Sequence, residues 1–209
     1  MGQCKGVVFI GGAHAVGKTF LCRRLAYKHS WMVSKQRHVL IEIGISLGLS
    51  WEQIALEHDK YIREVGKIIV KRFRESTSPV LLIDCHYAIR AEKALRLNGR
   101  KADEEYIHDL DLDLVYILKH QFNTMFVLVT VEPLAAASRF RDRSENFADI
   151  DHTFYGSIKQ SEAEKEFFYR IINRFQVQPD HILIADNSHE DHCATERIED
   201  FLFQQQIFP

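Results

Sequence analysis

Residues 11–19 read GGAHAVGKT and match the pattern GxxxxGK[ST]. The apolar run VVFI precedes the pattern and FLCRRLAYKH follows it, which is the strand-then-helix context that the pattern requires. In such a loop, backbone N–H groups converge on an anion at a helix N-terminus, where the macrodipole also favours negative charge. The sequence therefore predicts a phosphate-binding loop. Its candidate contacts are Gly12, His14, Ala15, Val16, Gly17, Lys18, Thr19 and Phe20.

The same residues suit a nucleoside triphosphate bound with a metal ion. Lys18 is expected to reach the β and γ phosphates, and Thr19 is expected to offer its hydroxyl to Mg²⁺. Magnesium also needs an anchoring carboxylate, typically at the end of a neighbouring strand. Asp84 ends the apolar run PVLLID. The sequence therefore predicts a bound nucleoside triphosphate with Mg²⁺, with Thr19 and Asp84 as metal ligands and Lys18 as a catalytic cation.

Two histidines accompany these motifs. His86 follows Asp84 by two residues and shares its side if the strand continues. It then either orients a water or contacts the transferred phosphate, or it is a packed or solvent-bridging side chain. His14 lies inside the loop, where it contacts phosphate through its backbone alone or contributes a catalytic side chain.

Composition limits the classes of protein. The 209 residues are 46% hydrophobic, which favours one compact domain over 1–209. Basic and acidic residues number 27 and 29, so no dominant attraction to nucleic acid or to an anionic membrane is expected. The sequence shows no signal-peptide or membrane-span pattern, and Gly6 stands where a myristoylation motif requires Ser or Thr. The cysteines lack a CxxC pair, which favours a reducing, cytoplasmic setting.

Apolar runs of strand length alternate with helical spacing, which is the order of a parallel α/β sheet. Strands are predicted at 7–10, 80–83, 126–131 and 182–185. A fifth lies either at 31–34, followed by a helix, or at 38–43. Apolar residues at steps of three and four predict helices over 51–74 and about 103–121, despite the period-two DLDLDL in the second.

Four segments carry a resemblance to a known family. They are the loop at 11–19, LLIDCHYAI (81–89), EPLAAASRFRDR (132–143) and ILIADNS (182–188). The chain resembles the archaeal-type adenylate kinases and, more loosely, the P-loop nucleoside monophosphate kinases that include ribosome-assembly ATPases. Their Asp-x-His motif reads Asp84-Cys85-His86 here.

The resemblance implies a P-loop NTPase three-layer sandwich, a mainly parallel five-stranded sheet with helices on both faces. It also implies a small acceptor-binding region at about 36–74 and a lid at about 139–155. The implied activity is transfer of a phosphoryl group from ATP·Mg²⁺ to a nucleotide-like acceptor.

The resemblance also places arginines in the lid, here Arg139, Arg141 and Arg143. Developing charge on a transferred phosphoryl group calls for such cations. Arg139 and Arg143 are favoured because a spacing of four puts them on one helical side, although the trio could instead form a solvated face. Asn187 in IADNS either reaches the adenine or only forms a turn before the last helix.

Some segments depart from the family pattern. Residues 91–109 form a longer segment, in which Lys93, Arg96, Arg100 and Lys101 either hold an anionic acceptor or lie in an exposed turn. Glu145, Asn146 and Phe147 stand about where an arginine is expected, so AMP is not assigned as the acceptor. A run of ligand-type residues lies near the C-terminus, but because the same element holds the base-side loop we do not predict zinc there. Those residues are His181, His189, His192 and Cys193.

The first functional hypothesis is a kinase acting on a nucleoside monophosphate or a related phosphorylated acceptor, without a membrane or nucleic-acid partner. A phosphate acceptor is already ionised at neutral pH and needs no general base, and the sequence assigns none firmly. The alternative is an ATPase switch, in which His86 positions water and the nucleotide controls binding of a protein or ribonucleoprotein partner. A binding module without turnover is least favoured, because the loop, Lys18, Thr19 and Asp84 are all present.

Overall fold

A computed structural model describes residues 5–50, 53–54, 58–90, 106–108, 110–141, 154–188 and 193–205. Its strands are β1 Gly6–Gly11, β2 Met32–Ser34, β3 Val80–Asp84, β4 Ala88–Arg90, β5 Tyr106–His108, β6 Asn123–Thr130 and β7 Ile182–Asp186. Its helices are α1 Lys18–His29, α2 Gln36–Leu47, α3 His58–Glu75, α4 Leu112–Gln121, α5 Pro133–Arg141, α6 Phe154–Arg174 and α7 Cys193–Gln204. A 3₁₀ turn covers Pro179–His181.

The main sheet runs in the order β2-β3-β1-β6-β7, and each neighbouring pair is parallel. This confirms the predicted five-stranded parallel sheet, including the strand at 31–34. The alternative strand at 38–43 lies within α2 instead. Each of β1 and β3 is buried along its whole length, as continuous apolar runs predict.

Helices cover both faces of the sheet because successive side chains of a central strand point to opposite sides. Phe9 of β1 stacks on Phe126 of β6, with ring centroids 5.1 Å apart, in a core that α2, α3, α4 and α6 complete. Val8 and Ile10 point the other way, into a core formed with α1 and α7. Among the described residues, no helix combines the length and the hydropathy that crossing a bilayer requires.

The prediction of a helix over about 103–121 is wrong for the first half of that range. Residues 106–108 form β5, which pairs with β4 in an antiparallel hairpin, and the helix begins only at Leu112. The side chain of Asp111 accepts a hydrogen bond from the backbone N–H of Asp113, which caps the helix at that point. The alternation of aspartate and leucine therefore marks a helix start rather than a helix interior.

The other predicted boundaries agree within a few residues where they can be compared. Gln53 and Ile54 are helical and α3 ends at Glu75, close to the predicted end of helix 51–74. Residues 91–105, 109 and 142–153 lie outside the described residues, and with them most of the segment 91–109 and of the lid predicted at 139–155. The single-domain assignment and the limits of the lid stay predictions.

Replacing Asp111 with alanine should destabilise the protein by about 1 kcal/mol, because the first turn of α4 then loses its side-chain cap. Asp111→Asn is the matched control, since an asparagine oxygen also caps well. The free energy of unfolding from urea denaturation measures both. Equal stability of the alanine and asparagine variants would contradict the capping role.

Candidate functional site

The loop between β1 and α1 has a backbone that requires glycine at two positions. Gly12 has φ +144°, and a Cβ there would lie 2.3 Å from the carbonyl oxygen of Val129. Gly17 has φ +92°, and a Cβ there would lie 2.6 Å from the amide nitrogen of Asn187. Helix α1 starts directly after Gly17 without a side-chain cap or an acidic residue in its first turn. Its N–H groups are thus arranged to receive an anion.

Lys18 is buried in this loop, with 7% of its surface exposed. Its Nζ donates hydrogen bonds to the carbonyl oxygens of Gly12 at 2.6 Å and Ala13 at 2.7 Å. Burial lowers the pKa of Lys18, and the carboxylates of Glu164 and Asp84 oppose that shift. The amine therefore sits where the loop would place the phosphates, close to two acidic side chains.

Thr19 and Asp84 meet as the sequence predicts. The Thr19 hydroxyl donates to Asp84 Oδ2 at 2.7 Å, and Asp84 is 8% exposed. The register of β1 and β3, which pairs Ile10 with Asp84, brings the end of β3 beside the loop. A hydroxyl and a carboxylate oxygen in contact are the hard donors that Mg²⁺ prefers.

Lys35 also lies at this pair, and the sequence did not identify it. Its Nζ is 2.6 Å from Asp84 Oδ2 and 2.8 Å from Thr19 Oγ1, so a cation already bridges the two oxygens. This contact shows that the donor set fits a cation, which supports its use for Mg²⁺. Lys35 directly follows β2, which pairs with β3, and no motif marks it because its position depends on that pairing.

A second unpredicted residue, Glu164 of α6, contacts the Asp-x-His motif. Its Oε1 lies 2.7 Å from His86 Nδ1, and its Oε2 accepts a hydrogen bond from the Tyr87 backbone N–H at 2.7 Å. The His86 Nδ1 is also 3.5 Å from Lys18 Nζ, and the rings of His86 and His14 are 4.4 Å apart. The structure thus brings both predicted histidines together at the loop.

Burial shifts the ionisation of Glu164. Its side chain is 1% exposed, and burial raises its pKa to about 7, opposed by the charge of Lys18 and by backbone N–H groups of Tyr87 and Ala88. The sequence does hold a weak signal. Glu164 shares the buried face of α6 with Ala163, Phe167 and Phe168, and a carboxylate within an apolar helical face is unusual without a partner.

Asn187 and Arg139 lie on the other side of the loop. The Asn187 side-chain amide donates to the Val16 carbonyl oxygen at 2.7 Å, and Arg139 donates to the Asn187 carbonyl oxygen at 2.8 Å. Asn187 therefore fixes the phosphate-binding loop, and Arg139 fixes the segment that carries Asn187. Contacts of Asn187 with a base and of Arg139 with phosphate stay predictions.

The remaining predicted site residues are only partly described by the structure. Phe20 is 58% exposed in the first turn of α1. Arg143, His189 and His192 lie outside the described residues, as do the basic residues of segment 91–105. Within the part of the chain that the structure describes, no group of three or more histidine, cysteine or acidic side chains is arranged to hold a metal ion.

Comparison with known proteins supports the assignment of the fold. No protein-family model matches the chain, and no curated protein matches its sequence. The chain resembles a shikimate kinase from Acinetobacter baumannii in complex with shikimate, at 12% identity and a TM-score of 0.54, covering 99% of this chain and 97% of that one. It also resembles a sugar kinase from Janibacter sp., at 14% identity and a TM-score of 0.54, covering 96% and 95%. At such identities the likeness shows that the chain has the fold of small-molecule P-loop kinases; the adenylate kinase subtype stays a prediction.

Glu164 should make stability depend on pH. A carboxyl whose pKa is raised by folding stabilises the protein while protonated, and this contribution is lost as the pH rises through the folded pKa. Relative to Glu164→Gln, the wild type should lose on the order of 2 kcal/mol of unfolding free energy between about pH 5 and pH 8. Urea denaturation across this range measures it. A constant difference between the two proteins would contradict the raised pKa.

Proposed function

We propose that this chain is an ATP-dependent phosphotransferase that moves the γ-phosphoryl group of ATP to a nucleoside monophosphate or a related small nucleotide. The observation that carries the proposal is the contact of the Thr19 hydroxyl with the Asp84 carboxylate beside the buried amine of Lys18. The fold of small-molecule kinases supports it.

The phosphate chain of ATP would lie along the loop. The uncapped N-terminus of α1 offers backbone donors to the phosphates. Lys18 would exchange the carbonyl oxygens of Gly12 and Ala13 for phosphate oxygens, which accept stronger, charge-assisted hydrogen bonds. Thr19 and Asp84 would hold Mg²⁺, which supplies positive charge to the β and γ oxygens during transfer.

We place the acceptor at the start of α2, where the described side chains are cationic. Lys35 contacts the Thr19–Asp84 pair, and α2 starts directly after it with Arg37 and His38 in its exposed first turn. Helix α2 has no side-chain cap and no acidic residue in that turn. Cations and an uncapped helix N-terminus favour an acceptor that carries phosphate.

ATP hydrolysis is the second candidate, and one observation favours it. His86 lies at the loop with Nδ1 held 2.7 Å from a buried carboxylate. An imidazole oriented in this way can position an attacking water. The nucleotide state would then control binding of a protein or ribonucleoprotein partner.

An assay that follows two products distinguishes the candidates. ATP labelled in its γ-phosphate is incubated with Mg²⁺ and the protein, either alone or with each nucleoside monophosphate. Labelled acceptor is then separated from labelled free phosphate. We expect transfer to at least one monophosphate. Because two structurally similar proteins are a shikimate kinase and a sugar kinase, shikimate and a sugar are useful comparison acceptors. Free phosphate without transfer to any acceptor would favour the ATPase, and neither product would contradict both functions.

Lys18→Ala should lower turnover by at least about 100-fold, because the transferred phosphoryl group then loses its nearest cation. The fold should survive, since the change removes a desolvated amine and leaves the apolar cores intact. Lys165→Ala, an exposed lysine on α6, is the matched control and should leave turnover unchanged. Full turnover by a folded Lys18→Ala protein would show that the site is assigned wrongly.

A further inference from the structure

The carboxylate of Glu164 lies between two groups that the chain places next to the loop. His86 Nδ1 is 2.7 Å from Oε1, and the Tyr87 backbone N–H donates to Oε2 at 2.7 Å. A backbone amide is a donor at every pH, so Oε2 must accept. Both contacts are well inside hydrogen-bond distance, and the carboxylate is almost fully buried.

An ionised Glu164 carboxylate accepts from both neighbours at once, whereas a protonated one would donate from Oε1 to an unprotonated Nδ1 and accept only at Oε2. A glutamine has a single accepting oxygen, so its NH₂ group would face one of the two donors. Burial raises the pKa of Glu164 to about 7, and the charge of Lys18, whose Nζ lies 3.5 Å from His86 Nδ1, opposes that shift, so the ionised form is present from about neutral pH upward. When Glu164 is ionised and the imidazole is neutral, His86 donates its Nδ1–H, and the other ring nitrogen, Nε2, carries the lone pair.

We infer that Glu164 is a positioning residue, which holds His86 with its proton on Nδ1 so that Nε2 can accept a proton from a water that attacks the γ-phosphate. The inference rests on the proposed use of ATP and assigns the pair to hydrolysis. The water oxygen bonds to the γ phosphorus while the bond from phosphorus to the bridging oxygen breaks, and its electron pair leaves with ADP. The water proton passes to Nε2 of His86.

The same chemistry separates hydrolysis from transfer. A nucleoside monophosphate attacks through an oxygen that is already ionised, so it has no proton to give to His86. Loss of Glu164 should therefore lower the release of free phosphate much more than transfer to such an acceptor. A purely structural role for Glu164 would lower both rates together.

The first test is kinetic. In Glu164→Gln, phosphate release should fall about 100-fold, whereas transfer to a nucleoside monophosphate, which uses Lys18 but not the attacking water, should fall at least about tenfold less than release. Glu162→Gln, an exposed carboxylate on the same helix, is the control and should change neither rate. An equal loss of release and transfer would overturn the inference, as would a wild type that transfers phosphate but releases none.

A double-mutant cycle shows whether Glu164 acts through His86. In the His86→Asn protein, adding Glu164→Gln should lower phosphate release by less than about threefold, because the group that it positions is gone. A further loss as large as that in the wild-type background would overturn the inference. Melting temperatures confirm that each variant is folded.

A spectroscopic test does not depend on turnover. ¹⁵N NMR of the imidazole rings, with His86→Asn identifying the resonances of His86, should show a protonated Nδ1 and an unprotonated Nε2 in the wild type. An unprotonated Nδ1 would overturn the inference even if Glu164→Gln fails to fold. If the wild type shows neither transfer nor release, the proposed function fails, whereas the NMR result still decides how Glu164 holds the ring.

Discussion

The site depends on one buried ammonium group, that of Lys18. Removing a charge from water costs several kcal/mol unless hydrogen bonds and opposite charges compensate. The carbonyl oxygens of Gly12 and Ala13 accept two hydrogen bonds from it, and the carboxylates of Glu164 and Asp84 supply negative charge. The positive φ of Gly12 helps to turn these carbonyls towards the amine, so the loop conformation and the buried acids are parts of one arrangement.

The sheet order explains how these charges come together. β3 lies between β1 and β2, so Asp84 at its end stands beside the loop that follows β1 and beside Lys35, which follows β2. The second acid comes from outside the sheet, where α6 packs on the segment after β3 through the contact of Tyr87 with Phe168. The parallel sheet thus supplies Asp84, the predicted metal ligand, and a covering helix supplies the carboxylate that contacts His86.

The parts of the site that follow local rules could be predicted from the sequence. The loop, Asp84 and the five-stranded sheet depend on short patterns, and the structure places them together. Glu164 and Lys35 depend on tertiary contacts: Glu164 meets His86 across 78 residues, and Lys35 reaches Asp84 only because β2 pairs with β3. The start of α4 was missed for a related reason, since a hairpin between β4 and β5 takes residues that a local pattern assigns to a helix.

Under the proposed function, ATP binding is an exchange of partners rather than an addition to an open site. Lys18 must leave two carbonyl oxygens and Lys35 must leave Asp84, and each hydrogen bond lost by these charged amines costs on the order of 2 kcal/mol. Phosphate oxygens carry charge and return stronger hydrogen bonds to Lys18 than the carbonyl oxygens do. Because Asp84 loses its lysine at the same step, Mg²⁺ arriving with the nucleotide restores the charge balance at that carboxylate. The exchange therefore favours joint binding of metal and triphosphate over binding of either alone.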